Sequence, residues 1–251
     1  MKILVTFALD MEFSAWRRRH DFCEISREPF PLYAAGISGS TVRVLLTGIG
    51  TSAAAEAVRW ALQSPADLFI STGFAGALRP DLGVGDVLAA SVVCRAEKEL
   101  AVASDRELLA AACDVGARRV ERFLTSERMV AGTAEKMALV GAADAVEMES
   151  FVILAEAARH GVRAVAVRSA SDTLETPLLY DFDRVCDARG RIRLGALAVE
   201  ILRQPRHIPN LIRLARDCRT AAQELANFLD QYVKLIHARL DLSESDMVAA
   251  L

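Results

Sequence analysis

The feature that most constrains this fold is the alternation of short apolar runs with longer helical patterns over residues 1–203. The apolar runs are rich in Val, Ile or Leu and are bounded by Gly, Asp, Ser or Pro, as buried strands are. They cover residues 2–7, 41–46, 68–72, 86–93 and 164–168. The helical patterns cover residues 52–63, 105–115, 134–141, 150–160 and 191–203. This alternation predicts an α/β fold in which helices cover both faces of a largely parallel sheet.

The pattern changes after Pro205. Residues 208–240 carry apolar side chains at helical spacing, which predicts one or two long amphipathic helices. We therefore expect an α/β domain at residues 1–203 and a C-terminal helical extension at residues 204–251, packed on that domain or projecting from it. Eight arginines stand against two acids between residues 189 and 219. This bias is typical of solvated helix faces and a dimer surface, and it also fits a basic element that rests on anionic lipid.

Composition limits the possible partners. The 251 residues carry a formal net charge of −3, which gives no reason to expect nucleic acid as a partner. The five cysteines are scattered and odd in number, as is typical of reduced thiols in a cytoplasmic protein. Neither they nor the four histidines have metal-ligand spacing, so we expect no metal. No apolar run reaches membrane-spanning length, and the first residues lack the pattern of a signal peptide.

Two predicted strand ends are rich in glycine. Residues 48–53 imitate the dinucleotide-binding fingerprint G-x-G-x-x-A. That fingerprint also needs an acidic residue at the end of the next strand, where this chain has Ser71, Thr72 and Gly73. A tight strand-to-helix turn is therefore the better interpretation. Because residues 71–77 form a second such segment, the two together predict a ligand cleft at the carboxyl ends of the strands.

Carboxylates lie beside these strand ends. Glu147 and Glu149 flank a methionine at the start of a predicted helix, and Asp172 ends the last apolar run. After the first strand, we expect Asp10 to be a helix N-cap and Glu12 to be either a first-turn acid or a base that faces the cleft. Carboxylates that arrive from separate elements suit acid–base chemistry on a polar small molecule. An enzyme is therefore the leading interpretation.

Six segments resemble, in order and spacing, those of the purine and uridine phosphorylase type 1 superfamily, and within it the methylthioadenosine/S-adenosylhomocysteine nucleosidases. They are residues 8–12 (ALDME), 47–50 (TGIG), 71–76 (STGFAG), 82–86 (LGVGD), 145–149 (AVEME) and 167–172 (VRSASD). The resemblance covers roughly residues 1–203. It implies the nucleoside phosphorylase-like α/β fold with a mixed central β-sheet, a homodimer, and cleavage of a purine nucleoside without a cofactor.

The resemblance also implies roles for the residues at the matching positions. Asp172 would share a proton with the imidazole-ring nitrogen of the purine, and Glu12 would orient or deprotonate the attacking water. Glu149 would accept hydrogen bonds from the ribose hydroxyls while Met148 packs on the sugar, which leaves Glu147 a structural role. The base would lie against Met129, Val130, Ala75, Gly76 and Ser171. Carboxylates near the ribose would stabilise the positive charge of an oxocarbenium-like transition state.

Three functions remain open at this stage. Phosphate as a nucleophile needs cationic clamps, normally arginines after the first strand and just before the T-G-x-A-G block. Residues 7–12 contain no arginine, and Ser71 and Thr72 precede Gly73, so hydrolysis by a nucleosidase is favoured over a purine nucleoside phosphorylase. The third possibility is a non-catalytic nucleoside-binding protein. It is less favoured because binding alone does not require Glu12, Glu149 and Asp172 together.

The chain departs from these nucleosidases around the 5′ substituent of the nucleoside. Between residues 93 and 105 it is much shorter than they are, where they carry an aromatic-rich loop. Met129 stands where an aromatic residue usually stacks on the base, although its polarisable sulfur can also lie on a purine. We therefore expect a 5′-modified adenosine whose substituent is unidentified. With the basic C-terminal segment, this suits a lipid 5′ group, as in the adenosyl-hopane of hopanoid-associated members of the family, and peripheral membrane contact.

Overall fold

The computed structural model describes residues 1–95, 100–176 and 208–249, with side chains described for 209–240 in the last range. Within them lie the strands β1 (Lys2–Phe7), β2 (Cys23–Ser26), β3 (Leu32–Ile37), β4 (Ser40–Leu46), β5 (Leu68–Ser71), β6 (Phe74–Ala77), β7 (Val87–Arg95), β8 (Leu100–Ala103), β9 (Arg118–Thr125), β10 (Ala145–Glu147) and β11 (Arg163–Asp172). The helices are α1 (Asp10–Arg17), α2 (Thr51–Ala61), α3 (Arg106–Asp114), α4 (Thr133–Leu139), α5 (Ser150–Arg159) and α6 (Ile208–Ala249).

The strands form one sheet in the order β2-β3-β4-β1-β5-β11-β6-β10-β9-β7-β8. A further pairing of β11 with β7 closes β11, β6, β10, β9 and β7 into a ring. The sheet is mixed: β1 is parallel to β4 and β5, whereas β11 is antiparallel to β7. The predicted α/β fold with a mixed central sheet is thus confirmed.

Strand β11 belongs both to the open part of the sheet and to the ring. Residues 163–166 pair with β5, and residues 167–172 pair with β6 and β7. A register shift between Ala170 and Asp172 inserts one extra residue opposite β6. Such a bulge re-aims the side chains that follow it. The strand therefore holds Arg168 and Asp172 at a fixed spacing and turns Asp172 toward Gly76.

Apolar side chains alternate along β1 and fill two cores, one on each face of the sheet. Ile3 and Val5 belong to the core that is covered by α1, α3 and α6. Leu4 belongs to the opposite core, which is covered by α2 and α5. Because both faces are buried, the run of residues 2–7 is continuously apolar apart from its first residue and Thr6.

Helix α6 packs against α1 and β11, and it contributes buried side chains to the first core. Tyr232 donates a hydrogen bond from its hydroxyl to the carbonyl of Leu108 at the start of α3, over 2.8 Å. Asp230 accepts hydrogen bonds from Trp16 Nε1 at 2.7 Å and from Arg19 Nη1 at 3.0 Å. These contacts fix α6 to both α1 and α3.

One local expectation is wrong: Asp10 is not the N-cap of α1. The helix begins at Asp10, and Leu9 occupies the N-cap position. The reason is that the carboxylate of Glu12 accepts hydrogen bonds from the N–H groups of Ala8 and Leu9. Glu12 therefore caps the start of the helix in place of Asp10.

Two other expectations fall outside the described residues, namely the helix at 191–203 and the boundary between residues 203 and 204. In the described part of the chain, no helix combines the length and the apolar character that crossing a membrane requires.

Candidate active site

A cavity of about 290 Å³ opens beside the carboxyl ends of β1 and β11 and the start of β6. The structure places all nine predicted site residues on its wall: Glu12, Ala75, Gly76, Met129, Val130, Met148, Glu149, Ser171 and Asp172. These nine residues come from five segments that are far apart in sequence, and the fold brings them together around one cavity.

Glu12 is buried, and backbone donors fix both of its oxygens. Oε2 accepts hydrogen bonds from Ala8 N at 2.8 Å and Leu9 N at 2.9 Å, and Oε1 accepts one from Phe74 N at 2.8 Å. Burial raises the pKa of Glu12 above its ordinary value, although the nearby Arg168 guanidinium and these donors partly offset the shift. A carboxylate with a raised pKa is a stronger base, which suits it to accepting a proton from water.

Arg168 joins the carboxylates, and sequence reasoning did not assign it a role. It is 1% exposed and donates from Nη2 to Glu147 at 2.6 Å and to Glu149 at 3.2 Å. Burial alone would lower the pKa of Arg168, but the surrounding glutamates more than offset this and raise it. The residue lies inside the VRSASD segment, so a charged residue in a predicted buried strand, four positions before Asp172, was the available signal.

Gly73 makes room for this cluster. A Cβ atom at Gly73 would lie 2.7 Å from Arg168 Nη1 and 2.8 Å from Glu12 Oε1. Its φ of 138° is also one that L side chains rarely adopt. The predicted glycine-rich strand exit therefore has a specific purpose, which is to let Arg168 and Glu12 approach the backbone between β5 and β6.

Glu149 lies at the N-cap of α5 and is held less completely. Its Oε1 accepts a hydrogen bond from Gly50 N at 2.9 Å, in the first glycine-rich turn, and its Oε2 faces Arg168. Burial raises the pKa of Glu149 to about 7, Arg168 opposes the shift, and the charges of Glu147 and Glu12 add to it. This carboxyl therefore changes its charge near neutral pH.

Both carboxylate oxygens of Glu147 are hydrogen-bonded to protein groups. Oε1 accepts a hydrogen bond from Thr125 Oγ1, and Oε2 accepts bonds from Glu149 N, Ser150 N and Arg168. The carboxylate thus caps the first turn of α5 and orients Arg168. This geometry agrees with the structural role that was expected for Glu147.

Asp172 borders the cavity at the end of β11. Its Oδ1 accepts a hydrogen bond from Ser171 Oγ at 2.7 Å. Its Oδ2 forms an ion pair with Lys136, a residue of α4 that sequence reasoning did not single out. A Cβ atom at position 76 would lie 3.0 Å from Oδ2, so Gly76 allows the carboxylate to stand close to β6.

The rest of the wall is mainly apolar. Met129, Val130 and Met148 lie beside the acidic groups, and α6 adds Leu211, Leu214, Ala215 and Cys218. Burial and the nearby Asp172 raise the pKa of Cys218 to about 12, so this thiol stays protonated. Nowhere in the described ranges do three or more His, Cys, Asp or Glu side chains converge as a metal site would require.

Comparison with known proteins identifies the family of this chain. The model of the phosphorylase superfamily matches residues 2–203. The 5′-methylthioadenosine/S-adenosylhomocysteine nucleosidase of Campylobacter jejuni superposes with a TM-score of 0.71 at 19% identity, over 93% of this chain and 99% of that one. The same enzyme from Neisseria meningitidis, in complex with methylthio-immucillin-A, gives 0.70 at 22% identity, over 93% and 98%.

Futalosine hydrolase of Helicobacter pylori strain 26695 gives a TM-score of 0.70 at 18% identity, over 93% of this chain and 97% of that one. At these identities the structural likeness shows a shared fold. The family resemblance drawn from six sequence segments is confirmed, because the family model spans most of the chain. The chain belongs to the phosphorylase superfamily.

Proposed function

We propose that this protein is a purine nucleoside N-glycosidase that hydrolyses the N-ribosidic bond of a 5′-modified adenosine-type nucleoside. The observation that carries the proposal is the meeting of Glu12, Glu149 and Asp172 on the wall of one cavity. The superposed structures are named as nucleosidases and as futalosine hydrolase, and one of them holds a methylthio-immucillin. Their names support the same class of reaction.

Glu12 takes the role of the base in this proposal. Its backbone donors fix the carboxylate, and burial raises its pKa, so it can accept a proton from a water molecule as the oxygen attacks C1′ of the ribose. Arg168 keeps the neighbouring Glu149 in place over 3.2 Å. Because the backbone donors hold the carboxylate of Glu12 in one place, the water that it binds is also held in a fixed position, which lowers the entropic part of the barrier.

Glu149 and Met148 take the sugar. The carboxylate of Glu149 would accept hydrogen bonds from the ribose hydroxyls, and Met148 would pack against the ring. As the glycosidic bond breaks, the sugar gains positive charge, and the negative charges of Glu12 and Glu149 stabilise it. Because such charge develops only in the transition state, this interaction raises kcat rather than affinity alone.

Asp172 takes the leaving base. It would deliver a proton to the imidazole-ring nitrogen, so that the purine departs as a neutral molecule. Ser171 supports the carboxylate through its 2.7 Å hydrogen bond. The purine plane would lie between the following residues: Met129, Val130, Ala75 and Gly76.

The charges around Glu12 favour water over phosphate as the nucleophile. Three buried glutamates, Glu12, Glu147 and Glu149, lie near the positive charge of Arg168 there, so the acids outnumber this cation. Arg128, which lines the cavity, is paired with Glu135 at 2.6 Å on the exposed rim. An incoming phosphate dianion would therefore meet net negative charge.

The experiment is a base-release assay over a panel of 5′-modified adenosines, with and without phosphate. We expect free adenine and a free ribose derivative at a rate that phosphate does not change. Formation of a ribose 1-phosphate would establish phosphorolysis instead, and tight binding without turnover would establish a binding protein. Asp172→Asn should lower kcat by about 10²- to 10⁴-fold, the usual contribution of a general acid.

For the whole protein we propose a cytoplasmic homodimer that touches anionic membrane through its basic C-terminal segment. The sequence supports the first part through its unpaired cysteines, and the described Cys23, Cys94, Cys113 and Cys218 are free thiols. For the second part, Arg213, Arg216 and Arg219 of α6 are exposed beside Ile212, which is 58% exposed. The remaining arginines of this segment lie outside the described residues.

A further inference from the structure

Helix α4 is arranged around one buried ammonium group. Among its seven residues Lys136 alone is buried, at 0% exposure, while its neighbour Met137 is 56% exposed. A short surface helix normally turns its apolar residues inward and leaves lysine in water. The inner face of α4 therefore combines this buried ammonium with Leu139, which packs against a small apolar cluster.

The surroundings of Lys136 account for every proton on its nitrogen. Nζ donates to Asp172 Oδ2, to Thr173 O at 2.9 Å and to Thr176 O at 2.9 Å. An ammonium group has three donors, so none is left over. A buried cation persists only when it is paired and hydrogen-bonded in this way. Lys136 therefore sits directly behind the carboxylate that faces the purine.

Each carboxylate oxygen of Asp172 accepts a hydrogen bond in this arrangement. Ser171 Oγ donates to Oδ1, and Lys136 donates to Oδ2. Because Ser171 and Lys136 are the donors in both bonds, neither bond is made by a proton on Asp172. The ammonium of Lys136 therefore holds an ionisable proton in direct hydrogen-bond contact with this carboxylate.

We propose that Lys136 is a positioning residue that supplies, through Asp172, the proton that neutralises the departing base. This rests on the proposed nucleosidase function and extends it with a residue that acts from behind the carboxylate. The ammonium passes a proton to Asp172 Oδ2, and the carboxyl passes a proton to the imidazole-ring nitrogen of the purine. Lys136 is left as a neutral amine while Asp172 returns to its ionised form.

The overall reaction consumes one water molecule and leaves the protein unchanged. The bond between C1′ and the purine nitrogen breaks, and its electron pair stays with the purine. The water oxygen bonds to C1′, and the proton that it loses passes to Glu12. Solvent then takes the proton from Glu12 and returns one to Lys136, so that one nucleoside and one water give one purine and one free sugar.

A comparison of two leaving groups tests this proposal. Lys136→Met and wild type are assayed on a 5′-modified adenosine that the wild type hydrolyses, and on the p-nitrophenyl riboside with the same 5′ group. The nitrophenolate leaves without a proton, whereas the purine needs one. We expect kcat on the adenosine to fall by about 10²- to 10⁴-fold, and kcat on the nitrophenyl riboside to fall by less than about tenfold. Lys234→Met, an exposed lysine of α6, is the matched control and should match wild type on both substrates.

Lys136→Arg separates proton delivery from charge, and it covers the case in which the methionine variant does not fold. Arginine keeps a cation beside Asp172 but does not release its proton in a protein. We expect this variant to retain the wild-type melting temperature within a few degrees and still to lose kcat on the adenosine alone.

The proposal is overturned if Lys136→Arg keeps wild-type kcat on the adenosine. It is also overturned if kcat of either Lys136 variant falls by the same factor on both substrates, since a structural role would then suffice. If wild type itself releases no base from any nucleoside, it is the proposed function that fails.

Discussion

Glu147 and Glu149 stand two residues apart, yet the atoms around them differ. Glu147 accepts four hydrogen bonds, which leaves it as a support for Arg168 and α5. Glu149 accepts one backbone bond and one from Arg168, and it lines the cavity with a pKa of about 7. The same residue type thus supports the scaffold in one place and keeps acceptor capacity toward the cavity in the other, according to how many donors surround it.

The raised pKa of Glu149 has a consequence for stability. The folded state holds the proton more tightly than the unfolded state, whose pKa is near the ordinary 4.5. Stability from this group is therefore highest below pH 4.5 and falls as the pH rises toward about 7, where the buried charge must form. We expect Glu149→Gln to remove this loss, so that urea unfolding shows the variant gaining stability relative to wild type between these pH values.

Glu56→Gln, an exposed residue of α2, is the control for that measurement. It changes the same kind of group without altering a buried charge, so its stability should follow wild type across the pH range. If Glu149→Gln and Glu56→Gln behave alike, the carboxyl of Glu149 does not titrate near neutral pH.

The sequence motifs identified the side chains that face the cavity better than those behind it. Glu12, Glu149 and Asp172 lie in recognisable segments at strand ends, and the structure brings them together. Lys136 lies in a segment that resembles an ordinary surface helix, and its buried ammonium is satisfied by Asp172 and by the carbonyls of Thr173 and Thr176. A contact between residues 36 positions apart leaves no local pattern.

Among the elements, α6 depends on a polar contact with α1. Asp230 is partly exposed and accepts hydrogen bonds from Trp16 at 2.7 Å and Arg19 at 3.0 Å, and it also contacts His20 at 2.6 Å. We expect Asp230→Ala to lower the free energy of unfolding by about 1–3 kcal/mol, because a buried indole N–H loses its acceptor. KM should also rise, since α6 carries Leu211 and the other apolar residues of the cavity wall. Chemical denaturation and steady-state kinetics measure the two effects.

Asp114→Ala provides a matched comparison, because Asp114 of α3 also pairs with α6, through Arg239 at 2.6 Å, but on the exposed surface. Exposed pairs contribute little, so this variant should lose at most about 1 kcal/mol and keep its KM. Equal losses from Asp230→Ala and Asp114→Ala would mean that the contact with Trp16 does not hold the helix.

The sequence predicted the elements that have strong periodicity and missed those that depend on their neighbours. The apolar runs at residues 2–7, 41–46 and 164–168 match strands to within a few residues, although β11 continues through the polar Ser169 to Asp172. Strands β2, β3, β6, β8, β9 and β10 were not predicted. β9 carries three arginines in eight residues, and β10 has three residues, so pairing within the ring rather than local preference makes them strands.

At the scale of the whole molecule, the charge of the C-terminal segment should govern membrane contact. Arg213, Arg216 and Arg219 are exposed on α6, and each cation near an anionic surface contributes about 1 kcal/mol. We expect the full-length protein to co-sediment with vesicles that contain anionic lipid and to dissociate as salt is raised. Replacement of the three arginines by glutamine should reduce the bound fraction, measured by sedimentation, while nucleoside hydrolysis continues.

Replacement of Arg17, Arg27 and Arg59 by glutamine removes the same charge from exposed positions elsewhere and is the matched control. It should leave vesicle binding unchanged. Equal binding by all three proteins, or none even by wild type at low salt, would assign the C-terminal arginines to a protein surface instead.

Strand β11 pairs with both the open part of the sheet and the ring, and this pairing fixes distances along the strand. Neighbours on both edges fix its register, so Arg168 and Asp172, four positions apart, keep a fixed separation of at most about 13 Å. This strand thus fixes the distance between Arg168, which holds Glu147 and Glu149, and Asp172, which borders the cavity. Under the proposed function, variation in the accepted substrate is therefore expected where α6 lines the cavity, since its side chains can change without altering the register of β11.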